Sequence, residues 1–566
     1  MNMKKRLFAI AVMIIFAACM LCMSGCGDDK KIENESPVAK APTGTYTGHT
    51  NDGVQEFLGI RYAAPVERWK APEDVATTTE DEIDANEWGP CCIQPYDEVE
   101  VASQGELSED CLNLNIWTKD VNTKDKPVMV FIHGGGYMNG GSNDPLYYGD
   151  EMVRNLPENE DMVFVSINYR TNILGSLDLS NLKGYTDEYY DAINVWLLDQ
   201  IQAVKWVSEN IESFGGNTDN VTLCGQSCGG MGIAYMLSKE ETHKYFQKAI
   251  IESGVPFICQ ISKEKKEEVA QSVFDAAGVD TLDEFLAISE KDLKEKHIGK
   301  IFEAVGVPAD IYADGKIIPG DWWDKIREGS AKDITVMMGC TAGESDGLAF
   351  DYENMPNVLS DENEVWDRIA EKIEKKGGEA AKYLINPMDD NGNPVFDLDA
   401  FLATGDDNVK SMVDLYNAIS YLQGDEYMGE ALSEYTDVYL YLWEFAPDKE
   451  DLIAYCKENN MDPELSPYGR PLHCMDLVFA LGNVEDGYDS LSGDADKLPE
   501  GLTEKTQATW YAFVKNGNPN NDLIPEWNKY TAADREIMMM NSDWQLVKDP
   551  RSAQRKAITL RPQNEK

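Results

Sequence analysis

A serine set between glycines is the first group in this 566-residue chain that could do chemistry. Residues 225–229 read GQSCG, directly after the apolar run 221–224 and before a stretch of small residues and helix formers. The pattern G-x-S-x-G between a strand and a helix is typical of a sharp, strained turn that exposes the serine hydroxyl at its tip. Ser227 is therefore the candidate nucleophile. The alternative is a buried serine that caps the following helix.

A second glycine-rich segment, 133–137 (HGGGY), follows the apolar run 128–132. Consecutive residues without side chains let two backbone N–H groups converge on one oxygen, as an oxyanion hole requires. We predict the N–H groups of Gly135 and Gly136 as donors, joined by that of Cys228. His133 is predicted to stabilise this loop rather than to act as a base. A merely flexible glycine turn is the alternative.

Acyl transfer at a serine also needs a general base, and the chain has five histidines. His473 follows Pro471 and Leu472 and precedes an apolar helical stretch, 475–481, far along the chain from the serine. A loop histidine at a helix start suits a base, whereas the other histidines lie in turn-like or charged contexts. We predict His473 as the base, with a hydrogen-bonded core histidine as the alternative.

The acid that orients the base is expected between the serine and the histidine in the sequence. After the apolar run 334–338, residues 339–347 read GCTAGESDG. A carboxylate just past a strand end can reach the imidazole and fix its tautomer. Glu344 and Asp346 both qualify by chemistry, and either could instead be a solvated turn residue.

Uninterrupted apolar runs predict strands that are covered on both faces, hence a mostly parallel central sheet. These runs are 127–132, 162–167, 221–224 and 248–252. Helical spacing of apolar residues predicts a helix over 195–211, and strands that alternate with helices indicate an open α/β sheet. Later segments predict a strand over 438–445, a helix over 503–516, and charged helical excursions over 262–331 and 361–434. The excursions are expected to wall the substrate site.

The composition is strongly acidic, with a net charge of −51. Such a surface repels nucleic acid and anionic lipid headgroups. We interpret it as a solubilising coat, and a field that draws cationic substrates is the weaker alternative. The scattered cysteines lack metal-ligand spacing, so neither a metal nor an organic cofactor is implied.

The N-terminus predicts export and lipidation. A basic region and an apolar region end in residues 23–26 (MSGC), which resemble a bacterial lipobox with Cys26 as the lipidated residue. We predict a signal peptide over 1–25, a polar tether over 26–42 and one catalytic domain over 43–560. The protein would then be an extracytoplasmic, membrane-anchored lipoprotein, or secreted if cleavage occurs without lipidation. An uncleaved anchor helix is the alternative, although the apolar region is short for a span.

Additional motifs resemble one family along nearly the whole chain from residue 44 to about 540. They are FLGIRYA at 57–63, SEDCLNLNIW at 108–117, NYR at 168–170, FGGN at 214–217, WYAF at 510–513 and GNP at 517–519. Together with the glycine loop they are similar to the type-B carboxylesterases, the family of the cholinesterases, bacterial para-nitrobenzyl-type esterases and neuroligins. The resemblance implies an α/β-hydrolase fold with helical insertions that wall an active-site gorge.

The resemblance also implies an activity: hydrolysis of small carboxylic esters through an acyl-enzyme intermediate, without metal or cofactor. Ser227 and His473 match the family's nucleophile and base. The family's acid lies five residues after the strand-ending glycine, which is Glu344 after Gly339, so that Asp346 becomes the second choice.

Supporting residues are implied by the same resemblance. Asp476 and Ser253 are similar to a second buried polar network behind the triad. The first family disulfide corresponds to a bond between Cys92 and Cys111.

The chain departs from the family pattern around the site. Gln226 stands where most members have glutamate, which should weaken the stabilisation of positive charge near the site. Ser345 replaces a usual glycine, Cys228 a usual alanine, and Cys474 a common glycine. We interpret the two cysteines as packing variants. A redox-sensitive bond between them is the sharper hypothesis.

Two further functions stay open at this stage. The family includes adhesion proteins that have lost the serine, although the intact catalytic residues argue against such a role here. Hydrolysis of another acyl bond, an amide or a thioester, is the other possibility.

Overall fold

The computed structural model describes most of the chain between residues 36 and 552. The described ranges are 36–76, 82–95, 106–255, 261–305, 311–344, 421–446, 471–484, 498–550 and residue 552. The predicted signal peptide, Cys26 and Asp346 lie outside them. Among the described residues, no helix has the length and apolar character needed to cross a membrane.

An eleven-stranded sheet forms the centre of the domain. Its strands are β3 (His49–Asn51), β4 (Val54–Arg61), β8 (Asn113–Thr118), β9 (Lys126–Ile132), β10 (Val163–Ile167), β11 (Gly216–Gln226), β12 (Lys248–Glu252), β13 (Thr335–Thr341), β14 (Val438–Trp443), β15 (Glu536–Met540) and β16 (Gln545–Lys548). They lie in the order β16-β15-β14-β13-β12-β11-β9-β10-β8-β4-β3. Strands β9 to β15 pair in parallel, and antiparallel strands extend both edges.

Two small sheets complete the strand inventory of the described ranges. One contains β1 (Val38–Ala41), β2 (Gly44–Thr47) and β5 (Glu82–Asp84), and the other contains β6 (Cys91–Cys92) and β7 (Leu107–Ser108). Strand β1 lies inside the segment 26–42 that we predicted as a tether. Because β1 pairs with β2 in register, the folded domain begins before residue 43 and the predicted tether is too long.

The sheet separates two apolar cores because successive side chains of a strand point to opposite faces. In β9, Val128, Val130 and Ile132 pack into one core, whereas Met129 and Phe131 pack into the other. All seven residues of β9 and all five of β12 are buried. This double coverage explains why the sequence shows continuous apolar runs here rather than polar alternation.

Helices cover both faces of the sheet. The α-helices are α1 (Asp150–Arg154), α2 (Asn172–Gly175), α3 (Val195–Asn210), α4 (Cys228–Leu237), α5 (Lys263–Ala277), α6 (Leu282–Leu286), α7 (Glu290–Asp292), α8 (Ile298–Val305), α9 (Trp322–Arg327), α10 (Gln423–Ser433), α11 (Met475–Leu481) and α12 (Leu502–Asn516). Short 3₁₀ segments lie at Pro145–Tyr147, Asp187–Ile193, Ile211–Phe214 and Glu240–Tyr245, and a π-helical turn at Leu293–His297. The helical character predicted for 262–331 is confirmed in the described part of that range, which contains α5 to α9. Of the second excursion, 361–434, the described part contains α10.

Candidate active site

Four adjacent parallel strands direct their C-terminal ends to one edge of the sheet, which is where ligands bind in open α/β folds. In sheet order these strands are β13, β12, β11 and β9. The residues that follow them are Glu344, Ser253, Ser227 and His133, respectively. The chain thus brings the predicted nucleophile, the predicted acid and the glycine loop to a common edge.

Ser227 occupies the turn between β11 and α4 with φ 54° and ψ −124°, a conformation that strains any residue with a side chain. Its backbone N–H donates to the Glu252 carbonyl at 2.8 Å, which fixes the turn against β12. The flanking glycines are sterically required. A Cβ on Gly229 would lie 2.1 Å from the Ile132 carbonyl oxygen, and one on Gly225 would lie 2.6 Å from the Gly229 carbonyl carbon.

The glycine loop after β9 lies directly beside this turn. A Cβ on Gly134 would meet the Gln226 Oε1 atom at 2.3 Å and the Ser227 Cβ at 3.1 Å. Gly135 and Gly136 have φ angles of 105° and 62°, which glycine adopts without strain. The Tyr137 N–H donates to the Cys228 thiol at 3.2 Å and ties the loop to the start of α4. Within the described part of the chain, no acceptor is bonded to the N–H of Gly135 or Cys228.

His133 is stacked against two aromatic rings, and its Nε2 has no hydrogen-bond partner among the described residues. Its ring stacks on Tyr169 at 4.4 Å and on Tyr147 at 6.0 Å between centroids. Nδ1 contacts the Gly134 carbonyl at 2.8 Å. Burial lowers the pKa of His133 to about 4, so the ring is neutral at physiological pH and stabilises the loop.

The imidazole of His473 contacts Glu344 through Nδ1 and the carboxylate Oε2. The other carboxylate oxygen accepts hydrogen bonds from Ser253 Oγ at 2.5 Å and from the Thr341 N–H at 2.6 Å. These two bonds fix the orientation of the Glu344 carboxylate, so its Oε2 is the acceptor for the proton on the His473 Nδ1. Sequence position alone left Glu344 and Asp346 as alternatives, and the structure places Glu344 against the imidazole.

The acid and base loops are also joined through the backbone. The Gly343 N–H, one residue before Glu344, donates to the Pro471 carbonyl, two residues before His473, at 3.1 Å. After His473, Cys474 has a φ of 74° and precedes α11. This left-handed conformation is the one that glycine adopts most readily, which explains the family's preference for glycine there.

The second ring nitrogen of His473 contacts Gln226 rather than the serine. The Gln226 Nε2 lies 3.0 Å from the His473 Nε2. Among the described residues, the Ser227 hydroxyl makes no hydrogen bond to His473. Ser227 and His473 are nevertheless neighbours, because Gln226 directly precedes Ser227 and the His473 charge acts on Cys228, which directly follows it.

A pair of buried acids lies behind the imidazole. Asp476 accepts hydrogen bonds from the Tyr441 hydroxyl at 2.8 Å and the Leu477 N–H at 3.1 Å. Burial, followed by the charge of Glu344, raises the pKa of Asp476 to about 6. Glu252 accepts from the Trp510 indole N–H at 2.7 Å, and burial together with Asp476 raises its pKa. Ser253, which we had grouped with Asp476, donates to Glu344 instead.

A further carboxyl group was not found by the sequence analysis. Asp425 on α10 is 4% exposed, and neither side-chain oxygen accepts a conventional hydrogen bond within the described residues. Burial raises its pKa well above the ordinary value, and the charge of Glu344 raises it further. Tyr421, just before α10, places its ring 5.3 Å from the His473 ring. No local motif marks either residue, because their role follows from a long-range contact.

The structure describes seven cysteines, all as free thiols. Cys92 and Cys111 are both buried and lie within hydrogen-bond reach of each other, but the predicted disulfide is not formed in the structure. Cys228 is buried and contacts the Tyr169 hydroxyl at 3.3 Å. No group of three or more His, Cys, Asp or Glu side chains in the described ranges has the arrangement of a metal site.

A serine at a strained strand-to-helix turn of a mostly parallel sheet, followed along the chain by a carboxylate after a later strand and then by a histidine in a loop, defines the α/β-hydrolase fold. A model described as the carboxylesterase family matches residues 35–558. The chain therefore belongs to the carboxylesterase family, and it is a carboxylic ester hydrolase.

Individual relatives agree with this assignment. The para-nitrobenzyl esterase of Bacillus subtilis is 32% identical over 539 residues, covering 91% of this chain and 97% of that protein. A solved thermophilic para-nitrobenzyl esterase superposes with a TM-score of 0.74 at 27% identity, over 93% of this chain and all of the other. A Geobacillus stearothermophilus carboxylesterase gives a TM-score of 0.75 at 25% identity, over 92% of this chain and all of the other.

Proposed function

We propose that this protein is a serine carboxylesterase that hydrolyses small esters through an acyl-enzyme, with Ser227 as nucleophile, His473 as base and Glu344 as acid. The observation that carries the proposal is the Glu344–His473 contact at the same sheet edge as the strained serine turn. The N–H groups of Gly135, Gly136 and Cys228 are the proposed oxyanion donors.

In the proposed reaction, the Ser227 Oγ forms a bond to the ester carbonyl carbon while its proton passes to the His473 Nε2. Glu344 keeps the other ring proton on Nδ1 and stabilises the imidazolium. The tetrahedral oxyanion is held by the backbone donors, and the imidazolium then gives its proton to the departing alcohol. Water, activated by the same imidazole, hydrolyses the acyl-Ser227 bond and regenerates the enzyme.

The test combines covalent labelling with hydrolysis of p-nitrophenyl esters of graded chain length. Ser227→Ala is expected to remove labelling by a fluorophosphonate and to lower kcat by about 10⁴-fold or more, with unchanged thermal unfolding. Ser253→Ala is not a neutral control, since Ser253 holds Glu344. The Ser208→Ala variant, at a half-buried position of α3, is the better comparison. Well-folded native protein that is neither labelled nor active would contradict the proposal. Faster turnover of anilides or thioesters than of matched esters would assign a different acyl bond.

We also propose that Cys26 is lipidated and that the protein is anchored outside the cytoplasm. The support is the sequence pattern at 23–26. Intact-mass analysis of the protein from a bacterial host should show a diacylglyceryl mass, and Cys26→Ser should release the protein from membranes. Export would place Cys92 and Cys111 in an oxidising compartment, where we expect their adjacent thiols to form the disulfide. Alkylation without reduction, followed by mass spectrometry, checks this bond.

A further inference from the structure

The nitrogen of His473 that must receive the serine proton is already occupied by a side chain. Glu344 binds Nδ1, so the neutral imidazole carries its proton there and presents a lone pair at Nε2. The Gln226 amide nitrogen lies 3.0 Å from that Nε2 and can only donate to it. A carboxylate at position 226 could not make this contact with the neutral ring, because both groups would present lone pairs.

The oxygen of the Gln226 amide is not held by a hydrogen bond within the described residues, so the amide can turn over when the ring gains a proton. Gln226 is fully buried, yet its Oε1 has no hydrogen-bond donor among the described residues and faces the Cα of Gly134. A half-turn about the last side-chain bond would exchange the amide nitrogen and oxygen. The oxygen would then accept from Nε2–H of a protonated ring. The amide thus fits the unprotonated ring as it stands and the protonated ring only after it turns over, whereas a carboxylate fits only the protonated form.

Several ionisable groups surround the imidazole of His473, so the choice between an amide and a carboxylate at position 226 affects its protonation. Glu344, the Cys474 and Cys228 thiols and Asp476 all act on His473, and Asp425 lies behind Glu344. Burial lowers the pKa of His473, but Cys474 and Glu344 raise it, and the net direction is upward. One more negative charge at Nε2 would move the base further towards its protonated, inactive form.

We propose that Gln226 is a positioning residue that keeps His473 in its unprotonated form, with the ring proton on Nδ1, by donating its amide N–H to the lone pair at Nε2. The serine hydroxyl displaces this amide when substrate binds. The glutamine therefore extends ester hydrolysis to lower pH than a glutamate would allow. The inference rests on the proposed role of His473 as base.

The experiment compares the pH dependence of kcat/KM for a neutral p-nitrophenyl ester in the native protein, Gln226→Glu and Gln226→Met. Gln226→Glu is expected to raise the apparent pKa of the acidic limb by about one unit or more. Gln226→Met keeps the volume without donating or accepting, and should raise it by about half a unit through loss of the donor. A Gln226→Glu profile that overlays the native one would overturn the proposal. Equal losses of kcat in both variants without any shift would also overturn it, because that pattern belongs to a packing role.

A direct measurement separates this inference from the proposed function. Nitrogen NMR of ¹⁵N-histidine-labelled protein, with His473→Gln to assign the signals, follows the His473 ring whether or not the enzyme turns over. An upward shift of its titration in Gln226→Glu supports the role of Gln226, and an unchanged titration refutes it. If native protein shows no Ser227-dependent hydrolysis, the proposed function fails, and the ring titration alone decides the inference.

Discussion

The two halves of the candidate site are positioned by different physical means. Around Ser227, the backbone of β11, α4 and the glycine loop approaches so closely that side chains are excluded, and the contacts are neutral. Around His473, the positions are set by charged and buried acidic side chains, among them Glu344 and Asp476. A crowded backbone tolerates no added side chain, whereas the charge around His473 can be changed by single substitutions that leave the backbone in place. We therefore expect side chains added to the crowded glycines of the nucleophile half to act on folding. Changes of charge in the base half should act on catalysis, on its pH dependence or on the pH dependence of stability.

The largest effect is expected from Gly229→Ala. Its methyl group would lie 2.1 Å from the Ile132 carbonyl oxygen, so β9 and α4 would have to separate. We expect a loss of more than about 4 kcal/mol in the free energy of unfolding, measured by chemical denaturation, or no soluble protein. Gly299→Ala is the matched control, because a Cβ there meets nothing within 4 Å. If Gly229→Ala and Gly299→Ala were equally stable, the nucleophile half would not be positioned by steric exclusion.

The next effect is catalytic. Glu344→Gln removes the charge that holds the Nδ1 proton of His473, and we expect kcat to fall about 10²- to 10⁴-fold with modest change in KM. Glu426→Gln, a buried glutamate on the same side, should leave kcat within a few-fold of the native value. A Glu344→Gln variant with native kcat would show that another carboxylate orients the base.

A smaller effect concerns stability and pH. Because Asp425 binds its proton more tightly in the folded state than in the unfolded chain, folding loses stability as pH rises from about 3.9 through the native pKa. Asp425→Asn removes this titration and should raise the free energy of unfolding at pH 7 by on the order of 1 kcal/mol, with less gain at pH 5. The exposed Asp219→Asn serves as control. A gain that does not depend on pH would point to packing instead of charge.

The smallest effect is expected at Cys474, where a side chain occupies a left-handed conformation. Cys474→Gly should raise the free energy of unfolding by about 1 kcal/mol, whereas Cys474→Ala, which keeps the restriction, should not. Thermal unfolding of both variants measures the difference. The same variants test the redox hypothesis of a bond between Cys228 and Cys474. If oxidant still inhibits Cys474→Ala, that bond is not the cause of the inhibition.

What the sequence predicts well are features encoded by neighbours in the chain. The strand at 248–252 has the predicted bounds, and the helix predicted over 503–516 differs by one residue. The serine turn and the glycine loop are also visible locally, because glycine marks backbone crowding. The end of the tether was wrong, since β1 is ordered by pairing with β2 and not by its own composition.

What the sequence does not predict are partners that meet only after folding. Asp425 lies in a charged helical stretch and carries no motif, yet it packs behind Glu344. The departure at Gln226 was visible, but its contact with the His473 Nε2 follows from the approach of β11 to the loop before α11. The position of carboxylates along the chain reduced the candidates for the catalytic acid to Glu344 and Asp346. The choice of Glu344 required the family resemblance.

The hydrogen bond from Gly343 to Pro471 has an evolutionary consequence. It closes the chain between the acid and the base into a loop whose two ends are fastened side by side. Glu344 and His473 therefore stay side by side through a main-chain bond to which no side chain between positions 345 and 470 contributes. Side chains along that stretch can change in evolution while this bond persists, provided that β14 and α10, which lie within it, keep their places in the fold.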